Sequence, residues 1–203
     1  MKGVIVTKRN KRIRMLVFIC VLSLILAVFS GCGCEKEKEA VGGDEPVVRI
    51  TMEDGGVIDV QLDRSAAPIT VDNFIKLVNA KFYDGLTIHR IAPGFVIQGG
   101  DPTGTGTGGS DDEIKGEFQE NGVENPISHE RGVISMARSQ EFDSASSQFF
   151  ITVGDATSLD GSYAAFGHVI AGMDEVDKIA SIEADENQFP TEPVIISSMK
   201  VIE

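Results

Sequence analysis

Two polar side chains lie inside an apolar hairpin in the segment HRIAPGFVIQGGD, residues 89–101. The apolar residues and the central Pro-Gly pair predict two strands joined by a turn. Arg90 and Gln98 interrupt this pattern. A buried guanidinium is costly unless it is paired, because it must give up water. The segment therefore has two interpretations: Arg90 forms a salt bridge in a core, or Arg90 and Gln98 line a pocket and face a ligand.

A similar combination occurs in SASSQFFITV, residues 144–153, where Gln148 precedes two aromatic residues. Phe149 and Phe150 must point to opposite faces of a strand, because successive side chains alternate. Taken alone, this segment predicts that both rings pack in a core. The segment SLDGSYAAFGHV, residues 158–169, predicts a further hairpin by its Leu-Asp-Gly turn.

The sequence contains only weak patterns for other kinds of functional site. The Gly-rich segment PTGTGTGGS, residues 102–110, lacks the Gly-Lys-Ser/Thr ending of a phosphate loop, and we interpret it as a mobile loop beside a site. His89, His129 and His168 are dispersed without ligand spacing, so no metal site is predicted. Composition leaves a Ser–His–Asp triad open, although no nucleophile-elbow pattern occurs.

The secondary-structure elements that must position the candidate site residues are mostly short apolar runs separated by Gly-rich turns. Residues 47–63, VVRITMEDGGVIDVQLD, predict a hairpin with an Asp-Gly turn. Apolar stripes predict helices within residues 67–83 and 173–181. Further strands are expected at residues 86–90, 95–99, 132–137, 148–152, 164–170 and 193–203. Many strands and two helices indicate a closed barrel or a sandwich around a single core.

The segment that precedes this domain is typical of an export signal. Six Lys or Arg residues without an acid come before an apolar run, residues 15–29, which is shorter than the roughly 20 residues of a membrane-spanning helix. The sequence VFSGCGC resembles the lipobox of bacterial lipoproteins, so we expect a signal peptide over residues 1–31 and acylation of Cys32. Cys34 fits less well. The alternatives are ordinary signal cleavage and an uncleaved membrane anchor.

Residues 32–46 predict a flexible, charged linker between the lipid and a domain at residues 47–203. No cysteine follows Cys34, so no disulfide can hold this domain. Six of the 18 basic residues precede Cys32 and all 31 acids follow it, which leaves a net charge of about −19 on the part from Cys32 onward. Such a surface argues against nucleic acid as a partner, because nucleic-acid binding requires neutralisation of phosphates.

Four motifs occur in an order that is typical of one family: FYDGLTIHRIAPGFVIQGGDPTGTGTGG, GVISMARS, SSQFFITV and LDGSYAAFGHV. Through them nearly all of residues 47–203 resembles the cyclophilin-type peptidyl-prolyl cis-trans isomerases. The resemblance implies a mainly β fold, a closed eight-stranded antiparallel barrel capped by two α-helices. It also implies isomerisation of X–Pro bonds in proline-containing polypeptides, without a cofactor.

The resemblance also implies which residues form the site. Arg90 takes the position of the family's catalytic arginine, and Gln98 matches the amide that positions it or bonds the substrate backbone. The expected catalytic residues are therefore Arg90, Gln98 and, beside them, Phe95. The expected substrate-binding residues are Val96, Ala137, Arg138, Gln148, Phe150, Leu159 and Tyr163.

This chemistry favours the pocket interpretation of Arg90. Amide resonance gives the X–Pro bond a rotation barrier near 20 kcal/mol and an exchange time of tens of seconds. A hydrogen-bond donor on the proline nitrogen draws its lone pair out of that resonance. An arginine suits this role because it is always charged and presents several donors in a rigid fork. Its effect is larger where water is excluded.

Four positions depart from the family's best-studied members. Val96 replaces Met and Tyr163 replaces His, and both keep the pocket apolar. Arg138 replaces Asn and adds a charge near the substrate path. Ser158 replaces a Trp that is important for binding cyclosporin-type inhibitors. We therefore expect retained activity and weak sensitivity to those inhibitors.

Two other functions fit the same fold: a non-catalytic peptide-binding module, and a membrane-tethered scaffold whose acidic surface recruits basic partners. The presence of Arg90, Phe95, Gln98 and Phe150 favours the enzyme. We expect a monomer that is exported and anchored through Cys32 to the outer face of the bacterial cell membrane. There it would assist the folding of exported proteins, in which proline isomerisation can limit the rate.

Overall fold

A computed structural model describes residues 45–203, so the predicted signal peptide, Cys32 and most of the linker lie outside the described residues. Within this range the chain forms eight strands, two α-helices and two short 3₁₀ turns. The strands are β1 Val47–Met52, β2 Val57–Leu62, β3 Thr87–Ala92, β4 Val96–Asp101, β5 Val133–Met136, β6 Phe149–Thr152, β7 Ala165–Ala171 and β8 Ile196–Val201; the helices are α1 Pro68–Asn79 and α2 Met173–Ala180. No helix in this part of the chain is both long and apolar enough to cross a membrane.

The strands form one antiparallel sheet in the order β3-β4-β6-β5-β7-β2-β1-β8. The sheet curls into a half-barrel, with β3 and β8 as its two edges. An isolated bridge between Thr87 and Ile195 joins these edges, and the N–H of Ile88 donates to the carbonyl of Val194 at 2.8 Å. The predicted mainly β, eight-stranded antiparallel fold with two helices is confirmed. The full closure of the barrel is not shown, because no strand ladder runs between β3 and β8.

Helix α1 begins where the sequence predicts. Pro68 occupies its first turn, where a missing N–H costs nothing. The buried carboxylate of Glu117, from a distant loop, accepts the N–H groups of Ile69 and Thr70 at 3.1 and 2.8 Å. These bonds satisfy donors that a helix start leaves free. Lys81, with φ of +58°, follows the helix in the left-handed conformation.

The main core lies between the concave face of the sheet and the helices. The stripe of α1 that contains Val71, Phe74 and Val78 is fully buried there. Phe74 meets Phe149 edge to face at 5.8 Å between ring centroids, and lies 5.1 Å from Phe166. Phe149 belongs to this core, whereas Phe150 packs in a second, smaller apolar cluster on the opposite face of β6.

Candidate active site

One row of paired residues crosses four strands on the face of the sheet that turns away from the main core. Arg90 in β3 pairs with Gln98 in β4, Gln98 pairs with Phe150 in β6, and Phe150 pairs with Ser135 in β5. Paired residues of adjacent strands share a face, because side chains alternate in register. The sheet therefore brings an arginine, an amide and an aromatic ring together, although Phe150 is far from Arg90 and Gln98 in sequence.

A cavity of about 170 Å³ opens on this face. Its lining consists of nine of the ten residues that the family resemblance predicts for the site: Arg90, Phe95, Val96, Gln98, Ala137, Arg138, Phe150, Leu159 and Tyr163. The tenth, Gln148, lines a neighbouring cavity of about 590 Å³ beside the Gly-rich loop. Gln98, Ala137 and Arg138 line both cavities, so the two are adjacent.

Arg90 is half-buried, and both of its side-chain hydrogen bonds go to amide oxygens. Its Nε donates to Oε1 of Gln188 at 2.8 Å, and its Nη1 donates to Oε1 of Gln98 at 3.0 Å. An amide oxygen carries no net charge, so neither bond neutralises the guanidinium. Within residues 45–203, Nη2 makes no hydrogen bond. The core salt bridge that the sequence left open is therefore absent from the described residues, and Arg90 lines the cavity with its charge intact.

A chain of amide groups links Arg90 to the Gly-rich loop. Nε2 of Gln98 donates to Oε1 of Gln148 at 2.8 Å. Nε2 of Gln148 donates in turn to the carbonyl oxygens of Gly106 and Gly108, at 3.1 and 2.7 Å. Each amide thus accepts from one neighbour and donates to the next, which fixes the orientation of both glutamines. The loop that was expected to flank the site contacts it through these two carbonyls.

The Gly-rich loop wraps around the buried carboxylate of Asp101. Oδ2 of Asp101 accepts the N–H groups of Thr105, Gly106 and Gly108, at 3.2, 2.7 and 3.1 Å. Oδ1 accepts the N–H and the hydroxyl of Thr103, at 2.7 and 2.8 Å. Burial opposes ionisation of this carboxyl, but the converging donors prevail and lower its pKa to about 2. The donors of the loop therefore favour the ionised form of Asp101.

The apolar end of the cavity is a small cluster separate from the main core. Ala92, Val96 and Phe150 form its buried part, and Phe95, Ala137, Leu159 and Tyr163 pack against them. The rings of Phe150 and Tyr163 meet edge to face at 5.8 Å. Such a surface can hold a compact apolar ring such as that of proline, because it offers carbon atoms and few competing polar groups.

A Ser–His–Asp arrangement lies next to this cluster, with its serine and histidine buried and its aspartate exposed. Nε2 of His129 lies 3.0 Å from Oγ of Ser135, and Nδ1 of His129 lies 2.8 Å from Oδ1 of Asp160. The His129 ring stacks on Phe150 with 5.9 Å between centroids. Ser135 is completely buried, so its hydroxyl cannot reach a substrate and the arrangement is not that of a serine hydrolase. Burial lowers the pKa of His129, although Asp160 opposes this shift.

The side chain of Arg138 is more constrained than the sequence indicates. Its Nε and Nη2 both donate to the carbonyl of Ser162, at 3.0 and 2.8 Å, and its Nη1 donates to the carbonyl of Ser139 at 2.9 Å. Its guanidinium also lies 4.8 to 5.2 Å from three ring centroids, those of Phe118, Phe142 and Tyr163. Arg138 thus joins two loops that border the cavity.

The family model for "Cyclophilin type peptidyl-prolyl cis-trans isomerase/CLD" matches residues 47–201, which is nearly the whole described fold. The chain belongs to this family. It is a peptidyl-prolyl cis-trans isomerase, as its curated relatives are named.

These relatives cover most of the cyclophilin domain. The chain is 39% identical to peptidyl-prolyl cis-trans isomerase A of Dickeya dadantii, over 72% of this chain and 80% of the relative. It is 49% identical to peptidyl-prolyl cis-trans isomerase B of Bacillus subtilis, over 61% of this chain and 82% of the relative. A cyclophilin of Cryptosporidium parvum, crystallised in the presence of the dipeptide Ala-Pro, superposes with a TM-score of 0.71 at 31% identity, covering 77% of this chain and 99% of that structure.

Several residues that hold the cyclophilin site together were not found from the sequence. Gln188 bonds Arg90 from a loop 98 residues away in the chain, and Asp160 bonds His129 across 31 residues. From the sequence, Asp160 is predicted only as part of a turn. Asp101 carried one local signal, because an acid directly before a Gly-rich loop can accept the N–H groups of that loop. No such signal marks Gln188. Among residues 45–203, no cluster of His, Cys, Asp or Glu could hold a metal ion.

Proposed function

We propose that Arg90 is the catalytic donor of this isomerase. The observation that carries the proposal is a charged guanidinium at an apolar cavity, held through Nε and Nη1 by two amide oxygens. Its Nη2 group is free of hydrogen bonds to residues 45–203 and can donate to a proline nitrogen in the cavity. That bond withdraws the nitrogen lone pair from amide resonance and lowers the barrier to rotation. It is strongest when the amide is twisted, so it stabilises the transition state more than the ground state.

The apolar cluster would bind the proline ring, with Phe95, Val96, Phe150, Leu159 and Tyr163 as its lining. Gln98 would position Arg90, because it accepts the bond from Nη1. Gln148 would hold Gln98 in place and border the path of the substrate. The backbone of Ala137 and Arg138 would contact the residue before proline. The substrates are proline-containing polypeptides, and no cofactor takes part.

The test of this proposal is the turnover of a short X–Pro peptide by the chain and by its Arg90→Ala variant. A hydrogen bond to a charged group contributes about 1.5 to 3 kcal/mol, so kcat/KM should fall by about 10- to 150-fold. The matched control is Arg49→Ala, because Arg49 lies in β1 and pairs with Asp59 away from the cavity. A folded Arg90→Ala protein with the parent's kcat/KM would refute the catalytic role.

We further propose that this cyclophilin is an exported lipoprotein, anchored through Cys32 to the outer face of the bacterial cell membrane. The support is the basic segment, the apolar run at residues 15–29 and the sequence VFSGCGC. The acidic domain would be repelled by an anionic membrane and held near it by the lipid and linker. There it would act as a monomer on exported proteins whose folding waits for proline isomerisation.

Metabolic labelling with a fatty acid tests the anchor. Cys32→Ala should lose the label and leave the membrane fraction, whereas Cys34→Ala, two residues away, should keep both. Label on the Cys32→Ala protein, or no label on the parent, would reject acylation at Cys32. Cells that produce Arg90→Ala should show slower folding of exported proteins, if catalysis rather than binding is the role.

A further inference from the structure

We propose that Gln188 is a positioning residue that sets the orientation of the Arg90 guanidinium for catalysis. The proposal rests on the catalytic role proposed for Arg90. Gln188 is half-buried and lies in the loop between α2 and β8, outside the strands that carry Arg90 and Gln98. Its Oε1 accepts the Nε–H of Arg90 at 2.8 Å.

The two amides hold the guanidinium from opposite sides of β3. Gln98 lies on β4, the neighbouring strand within the sheet, and bonds Nη1. Gln188 lies on the other side of β3, which is the last strand of the sheet. One bond at Nη1 alone would let the planar group turn about its last side-chain torsions. A second bond at Nε fixes the plane and leaves Nη2 as the group that can reach the cavity.

The backbone places Gln188 firmly at this position. The N–H of Ile91 in β3 donates to the carbonyl of Gln188 at 2.8 Å, which attaches the loop to the strand edge one residue after Arg90. The N–H of Gln188 donates to the carbonyl of Asp185 at 2.9 Å. The side chain of Asp185 accepts the N–H groups of Asn187 and Phe189, at 2.8 and 2.9 Å. The loop is thus closed on itself around Gln188.

Gln188 adopts a backbone conformation that residues other than Gly disfavour. Its φ is +68°, in the left-handed region, a property that Lys81 alone shares among the non-Gly residues of the described part. Glycine would relieve this strain at no cost to the backbone bonds of the loop. A glutamine here is therefore explained by what its side chain contacts, and that contact is the Nε of Arg90.

A purely structural role makes a different prediction. If the loop only needed to close the edge of β3, its backbone bonds to Ile91 and Asp185 would suffice, and the amide of Gln188 would be dispensable. The variants that separate these roles keep the backbone and change only the acceptor. Gln188→Met has similar length without the acceptor, and Gln188→Glu keeps an acceptor oxygen at the same place. Gln188→Gly removes the side chain and the strain together.

The experiment measures kcat and KM for an X–Pro peptide with the full chain, by exchange spectroscopy on the cis and trans signals. Gln188→Met and Gln188→Gly should lower kcat about five- to tenfold with KM within about twofold, because the lost bond orients Arg90 and does not form the proline pocket. Gln188→Glu should stay within about threefold of the parent. Lys81→Gly, which relieves the same kind of strain at a residue that lines neither cavity, should leave kcat unchanged.

The Arg90→Ala variant, measured beside these, separates the two proposals. Parent-like kcat in Arg90→Ala would remove the catalytic role of Arg90 and the positioning role with it. Loss in Arg90→Ala, together with parent-like kcat in Gln188→Met and Gln188→Gly, would overturn the positioning role alone. Equal losses in Met, Gly and Glu variants would also overturn it, because the acceptor would not matter. In the supporting case, the Nε–H proton signal of Arg90 shifts and exchanges faster with water in the Met and Gly variants only.

Discussion

The substitution Asp101→Asn tests whether one buried charge organises the loop beside the proposed active site. The carboxylate of Asp101 is 1% exposed and accepts bonds from four backbone N–H groups and one hydroxyl. An asparagine of the same shape would present an NH₂ group to at least two of these donors. Donors would then face donors in a buried place, which leaves several groups without partners.

The magnitude follows from the pKa of Asp101. Its pKa falls from the ordinary 3.8 to about 2 in the folded protein. At about 1.36 kcal/mol per unit, ionised Asp101 contributes roughly 2 kcal/mol to the free energy of unfolding at pH 7. Asp101→Asn removes this contribution and adds the cost of the misplaced donors. We therefore expect a loss of at least about 2 kcal/mol at pH 7.

The sign of the pH dependence provides a second test. The folded pKa is lower than the unfolded one, so the stabilisation is fully present well above pH 3.8 and is lost as the pH falls toward 2. About half of it should remain at pH 3 and little at pH 2. The difference in unfolding free energy between parent and Asp101→Asn should therefore narrow over that range. Other carboxyls titrate there too, but they do so in both proteins.

The same substitution should lower catalysis at pH 7. The loop that Asp101 holds carries the carbonyls of Gly106 and Gly108, which fix Gln148 and through it Gln98. A loosened loop would weaken the acceptor at Nη1 of Arg90. We expect kcat/KM to fall about fivefold in protein that is still folded, which corresponds to about one hydrogen bond.

Urea unfolding at pH 7, 5 and 3, followed by circular dichroism, gives the required free energies. The matched control is Asp112→Asn, because Asp112 is an exposed residue close in sequence that pairs with Lys76. It should change stability little, since exposed ion pairs contribute little, and should leave turnover unchanged. A loss below about 1 kcal/mol in Asp101→Asn, or a difference that does not narrow at low pH, would contradict this account of the loop.

Three further predictions concern the pocket. Cyclosporin-type inhibitors should inhibit the parent weakly, and their inhibition constant should be at least about tenfold lower for Ser158→Trp, since an indole adds apolar contact area. Equal inhibition constants for the two proteins would contradict this prediction. Arg138→Ala should raise KM more than it lowers kcat, and it should lower the free energy of urea unfolding by about 1 to 2 kcal/mol. The reason is that the guanidinium joins two loops through carbonyl and ring contacts. An unchanged KM would show that the loops keep their positions without this side chain. Burial lowers the pKa of His129 in the folded protein. The stability that neutral His129 contributes is therefore present above its unfolded pKa near 6.5 and is lost as the pH falls below that value. Unfolding midpoints measured from pH 8 to 5 should fall more steeply in the parent than in His129→Gln.

Local patterns in the sequence predict the elements well. The alternation of residues 47–62 around an Asp-Gly turn gives the β1–β2 hairpin, and Gly55 there adopts φ of +92° as the turn requires. The stripe that includes Phe74 gives the buried face of α1. Phe149 and Phe150 lie on opposite faces, as the period of a strand demands. These features depend on neighbours within a few residues, so the sequence carries them directly.

The motifs of the sequence also predict which residues line the cavity, because a family resemblance assigns roles to matching positions residue by residue. The resemblance also favours a pocket for Arg90 and implies Gln98 as the amide that positions it. The second partner of Arg90, the amide of Gln188, is evident only in the structure. The closed barrel implied by the resemblance is likewise an open, curled sheet whose edges meet at one bridge.

The sequence by itself determined the strands, the helices, the faces of the strands and the family. The tertiary structure alone decided the contacts that no motif implied: the pairing of Phe150 with Ser135, and the bond from Gln188 to Arg90. The physical reason is that a strand's face follows from its own alternation, whereas its register depends on the burial of every strand beside it. Hydrogen-bond partners from remote loops depend on where the whole fold places polar groups, because a buried polar group needs a partner wherever in the chain that partner lies.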